Sequence, residues 1–137
     1  MLTENWNHQD VVSHLRHNLP GLLAIYVFGS MASGEANRDS DLDLAVLIAG
    51  YADPVTLFNI AGQLSDLVDG RDVDLVDLRA ASTVMQYQIL AHGYRLWERD
   101  SQAALYEAAV LSEKTALDET RKGIISDIIS RGSVYDG

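Results

Sequence analysis

The sequence predicts an α/β fold of one domain over residues 1–137. Short apolar runs bounded by glycine read as buried strands, and helix-patterned stretches alternate with them. Two prolines and ten scattered glycines leave no linker or low-complexity tract, and 47% hydrophobic residues suffice for a core.

Each element has a local signal. In residues 4–18, Val11, Val12 and Leu15 fall at helical spacing, and Leu19-Pro20-Gly21 stops the helix. "LLAIYVF" (22–28), between Gly21 and Gly29, is the first strand. Ser30 to Gly34 suits a short helical turn, followed by the polar loop "EANRDS". "LDLAVLI" (42–48) is a second buried strand, closed by Ala49-Gly50. Asp53 as N-cap and Pro54 at the first helical position open a helix to about Val68, with Asp69-Gly70 as its stop. "DVDLVDL" (72–78) alternates as a third strand, residues 81–91 are helical, and "YRLWE" (94–98) is a short fourth strand. From about Ser101 a long C-terminal helix runs toward Ile129, with a break expected at Gly123 because an interior glycine costs about 1 kcal/mol against alanine.

Composition narrows the function. No cysteine is present, which excludes disulfides and thiolate metal sites. The amino-terminal residues lack a basic and an apolar region, and no apolar run reaches membrane-spanning length, so a cytoplasmic protein is expected. A formal net charge of −10 counts against binding nucleic acid through its phosphates and suits solubility, multivalent cations or a basic partner.

Two carboxylates at the start of a buried strand need a reason. Residues two apart on a strand share a face, so Asp41 and Asp43 project together, with Cα atoms roughly 7 Å apart. Leu42, Leu44, Val46 and Ile48 take the other face. Two anions on one face repel, and burial adds to the penalty. A hard dication relieves both, and Mg²⁺ takes a few carboxylates together with waters and substrate phosphates. Upstream, Gly29-Ser30 ends one strand and opens a short helix. Its free N–H groups and hydroxyl suit a phosphate. Either feature alone is commonplace, as an ordinary cap or as turn residues. Together, ten residues apart and between two apolar strands, they make a site for a metal-bound nucleoside triphosphate.

Gly29-Ser30, ten residues, then Asp41-x-Asp43 within "SDLDL" resembles the signature of the nucleotidyltransferase (DNA polymerase beta-like) superfamily. The short chain resembles the minimal nucleotidyltransferase (MNT) antitoxins that pair with HEPN-domain toxins. The resemblance covers about residues 20–98. It implies a small mixed sheet flanked by helices and transfer of AMP from ATP, with release of pyrophosphate, to a tyrosine hydroxyl of the HEPN toxin. That toxin is an RNase, and the modification neutralises it. By the same resemblance Asp41 and Asp43 hold one or two Mg²⁺, and Gly29 and Ser30 hold the β- and γ-phosphates. A third acid comes from a neighbouring strand, where Asp72, Asp74 and Asp77 are available. Asp74, followed by Leu75-Val76, matches best, either holding metal or accepting the proton of the attacking hydroxyl. Met31 departs from the arginine that many relatives carry after Gly-Ser, and Arg38 is a candidate replacement cation.

Other readings compete. A small-molecule nucleotidyltransferase, of the kind that modifies aminoglycosides, would need an acceptor-binding part that this short chain lacks without oligomerisation. A non-catalytic antitoxin acting by contact would leave the acids unused. His14 and His17 lie three apart on the first helix with no further ligand in view, and His8 and His92 read as surface or helix-end residues. Trp6, Tyr26 and Trp97 read as core. Ile124, Ile125, Ile128 and Ile129 form an apolar stripe suited to packing on the sheet or on a partner. The Lys114–Asp118 and Asp118–Lys122 spacings mark a solvated face.

Overall fold

Four strands form one open mixed sheet, and the order of its strands decides which side chains meet. The structure is a computed structural model that describes residues 6–36 and 40–113. In chain order come α1 (His8–Asn18), β1 (Leu22–Phe28), α2 (Ser30–Ser33), β2 (Leu42–Ile48) and α3 (Pro54–Leu67). After these come β3 (Val73–Asp77), a 3₁₀ turn (Leu78–Ala80), α4 (Thr83–His92) and β4 (Tyr94–Glu98). Residues 102–113 are helical. The predicted extension toward Ile129, the isoleucine stripe and the Lys114–Asp118–Lys122 spacings lie outside the described residues, as does Arg38.

The sheet order is β3-β2-β1-β4. β1 pairs antiparallel with β2 and β4, whereas β2 and β3 run parallel. A parallel pair needs a crossover, and α3 supplies it. The apolar runs at 22–28, 42–48 and 94–98 are strands over the expected residues. α4 begins at Thr83 rather than 81 because the 3₁₀ turn intervenes and the Ser82 hydroxyl caps the helix, accepting from the Met85 N–H at 3.1 Å. Asp53 sits at the N-cap of α3, but its carboxylate accepts from the Thr56 hydroxyl at 3.3 Å and not from a backbone N–H.

Both faces of the sheet are packed. On one, Leu42, Leu44, Val46 and Ile48 meet Val11 and Leu15 of α1 and Leu57, Ile60 and Leu64 of α3. On the other, Ala24, Tyr26, Ala45 and Leu47 meet Ile89 of α4 and Ala103 of the last helix. Trp6 and Tyr26 are buried, and Trp97 is partly buried, with the Arg16 guanidinium 4.8 Å from its ring centre. The Tyr26 hydroxyl donates to Glu107 at 2.7 Å, and Arg95 meets the same carboxylate oxygen at 2.9 Å. That shared carboxylate ties the last helix to the sheet. Burial first, and then Glu107, push the Tyr26 phenol far above its ordinary value. Among the described residues no helix is long and apolar enough to cross a membrane.

Candidate active site

β1 ends in Phe28, and the chain must turn at once to start α2. Gly29 makes that turn with φ 71° and ψ −151°, and its carbonyl accepts from the N–H groups of Ala32 and Ser33 at 3.1 Å each. A side chain at this position would run into the Asp43 carboxylate. The main chain at Gly29 therefore lies directly against Asp43, which the register places opposite Phe28. Two residues on, Met31 is buried among the residues of the α1/α3 face. A charged side chain would be costly there.

The acids gather around Asp43. Asp41 is exposed, one residue before β2, and Asp43 is half-buried within it. The parallel register pairs Asp43 with Asp74 of β3, so the two side chains stand side by side on one face, about 4.8 Å apart at the backbone. Burial is the main cause that raises the Asp43 carboxyl above the ordinary carboxylate value, and the charges of Asp74 and then Asp41 add to it. Asp72 precedes β3, is exposed, and uses its carbonyl to accept from the Leu42 N–H at 2.8 Å. Asp77 is buried on the opposite face of the strand and accepts from the backbone N–H groups of Ala52 at 2.9 Å and Arg79 at 3.1 Å. Its place is structural. Arg71 donates to the Ser40 carbonyl at 2.6 Å, which ties the approach to β3 to the residue before Asp41.

Beside this cluster lies a cleft of about 420 Å³. Phe28 and Ile89 line its apolar part, Gly29, Ser30, Ser33 and Glu35 contribute from the α2 side, and Met85, Gln88 and His92 contribute from α4. The α4 contribution is absent from the sequence reading. Composition marks the segment as helical, but it does not say which strand end that helix crosses. His92, read as a helix-end residue, is one, and it also lines this cleft. His14 bonds to Gln63 at 2.7 Å.

The donor set suits a hard cation, since Asp41, Asp43 and Asp74 offer carboxylate oxygens, and the main chain at Gly29 lies against one of them. Among the described residues no three acids or histidines converge closely enough to enclose a metal ion. Mg²⁺ uses one or two carboxylates and completes its shell with water and substrate phosphates.

The model of the polymerase beta, nucleotidyltransferase family matches residues 9–102. Over 124 residues the chain is 38% identical to the protein adenylyltransferase MntA of Shewanella oneidensis, covering 90% of this chain and 88% of that protein. Among solved structures, a toxin–antitoxin with AMP-PNP superposes with a TM-score of 0.76 at 38% identity, covering 90% of this chain and 98% of the other. A second, the tri-AMPylated Shewanella oneidensis HEPN toxin in complex with MNT antitoxin, superposes with a TM-score of 0.68 at 36% identity. It covers 88% of this chain and 94% of the other.

Proposed function

Because the chain belongs to the polymerase beta nucleotidyltransferase family, we propose that it is a Mg²⁺-dependent protein adenylyltransferase. It transfers AMP from ATP to a tyrosine hydroxyl of a cognate HEPN RNase toxin and neutralises it as an antitoxin. One observation carries this reading: the Gly29 backbone, a phosphate approach, lies against Asp43, and Asp43 is paired with Asp74 across the strands. Relatives that carry a protein adenylyltransferase name or are solved with a HEPN toxin support the acceptor class. The chain acts as a single domain, since the helical residues 102–113 place Ala103 in the same core as β1 and β2. The cytoplasm, where an RNase toxin would act, is its proposed location.

Asp41 and Asp43, with Asp74 as a further ligand or as the base, would hold one or two metal ions, which when bound would neutralise the triphosphate and orient its α-phosphorus. Gly29 and Ser30 bind the β- and γ-phosphates through backbone N–H groups and the hydroxyl. The tyrosine oxygen bonds to the α-phosphorus, the bond to the bridging oxygen breaks, and pyrophosphate leaves. Asp74, exposed on an edge strand of the sheet, would either help hold the metal or take the tyrosine proton. Positioning and charge neutralisation supply most of the acceleration.

Titrating the protein with ATP by calorimetry tests the metal requirement. Binding is clear with Mg²⁺ or Mn²⁺ and weak in EDTA, because the paired aspartates repel phosphate until neutralised. Equal affinity in both refutes a metal site. Intact-mass spectrometry of the toxin tests the reaction. Catalytic amounts of this protein with ATP and Mg²⁺ add AMP mass to a toxin tyrosine, and the toxin stays inactive after the protein is removed. A contact inhibitor would need stoichiometric amounts, ignore ATP, and release active toxin when stripped away.

A further inference from the structure

The triphosphate of ATP needs donors beyond two backbone N–H groups and a hydroxyl, and the cleft beside Gly29-Ser30 limits where they come from. Met31 is committed to the core. Glu35, on the α2 side of the cleft, is an anion that repels phosphate. Across from it, the C-terminal turn of α4 presents His92, which is exposed. Its backbone position is set by close packing. The Gly93 N–H donates to the Ile89 carbonyl at 2.9 Å, and a side chain at Gly93 would strike the Val27 carbonyl and the Phe28 side chain. α4 therefore ends directly against the end of β1, where the Gly29 turn begins.

Resting on the nucleotidyltransferase reading above, we infer that His92 is a nucleotide-binding residue that donates an imidazole N–H to the β- or γ-phosphate of ATP. An imidazole carries an N–H donor whether neutral or protonated, so the contact does not depend on charge. The residue serves the leaving pyrophosphate portion of the substrate and makes no contact with the adenosine.

The test compares ATP, ADP and AMP binding by calorimetry in Mg²⁺, for the wild type and His92→Ala, which removes the donor. Thermal melts confirm that the variant is folded. His92→Ala weakens ATP by roughly tenfold or more, as expected for a lost hydrogen bond to a charged group, and leaves AMP unchanged. Unaltered ATP affinity, or equal weakening of ATP and AMP, overturns the inference while leaving the nucleotidyltransferase reading intact. A wild type that binds none of the three nucleotides overturns both.

Discussion

Asp43→Asn abolishes AMP transfer, by at least about a hundredfold, and leaves the metal-free protein as stable as the wild type or slightly more so. Asp43 is half-buried, opposite Asp74 and near Asp41, and its carboxyl is raised by burial first and then by those two charges. A carboxyl that titrates higher in the folded chain than in the unfolded chain favours folding while protonated. That contribution is full below the unfolded-state value and is lost as pH rises through the folded-state value. The ionised form of Asp43 therefore opposes folding, and the neutral amide removes the penalty. Melting temperatures of the two proteins, measured from acid to neutral pH, should diverge in favour of the variant as pH rises. A large loss of stability in Asp43→Asn would instead make the residue structural. Asp77→Ala provides the contrast. It leaves the N–H groups of Ala52 and Arg79 without their acceptor, at roughly 1–3 kcal/mol for each that stays buried.

Gly29→Ala lowers both stability and transfer. The backbone there, at φ 71° and ψ −151°, lies in a region essentially confined to glycine, and forcing another residue into it costs roughly 1–3 kcal/mol. The added methyl also meets the Asp43 carboxylate, so the variant must displace the acid that sits next to the phosphate approach. Gly34→Ala separates the two effects. Gly34 also has a positive φ, 82°, but nothing lies near where its Cβ would be. That variant melts earlier and still transfers AMP. Transfer at the wild-type rate by Gly29→Ala would show that the close approach of backbone and carboxylate has no catalytic role.

The strands at 22–28 and 42–48 were legible because each is a local pattern, an apolar run with glycine beside it, and burial on both faces of the sheet rewards that pattern. The common face of Asp41 and Asp43 was legible for the same kind of reason, since the side-chain period of a strand is two wherever the strand sits. The start of α4 was less so. Leu78–Ala80 turn as a 3₁₀ segment, a choice made by Asp77 accepting from the Arg79 N–H and by Arg79 reaching the Ile48 carbonyl at 2.8 Å.

Within the third strand, Asp72, Asp74 and Asp77 were all available, and the family resemblance favoured Asp74. Alternation alone sets Asp77 apart from the other two, but it cannot say which of Asp72 and Asp74 stands beside Asp43. That depends on the parallel register of β2 and β3, fixed by long-range packing through α3, and it pairs Asp43 with Asp74. Likewise, Gly29-Ser30 announced a phosphate approach in sequence, but the α4 wall with His92 came only with the fold. The sequence by itself determined the strands, the Gly-Ser turn and the paired aspartates, because these follow from contacts between near neighbours along the chain. Only the tertiary structure decided which acid stands beside Asp43 and which helix walls the cleft, because both depend on how distant segments align when their apolar faces are buried together.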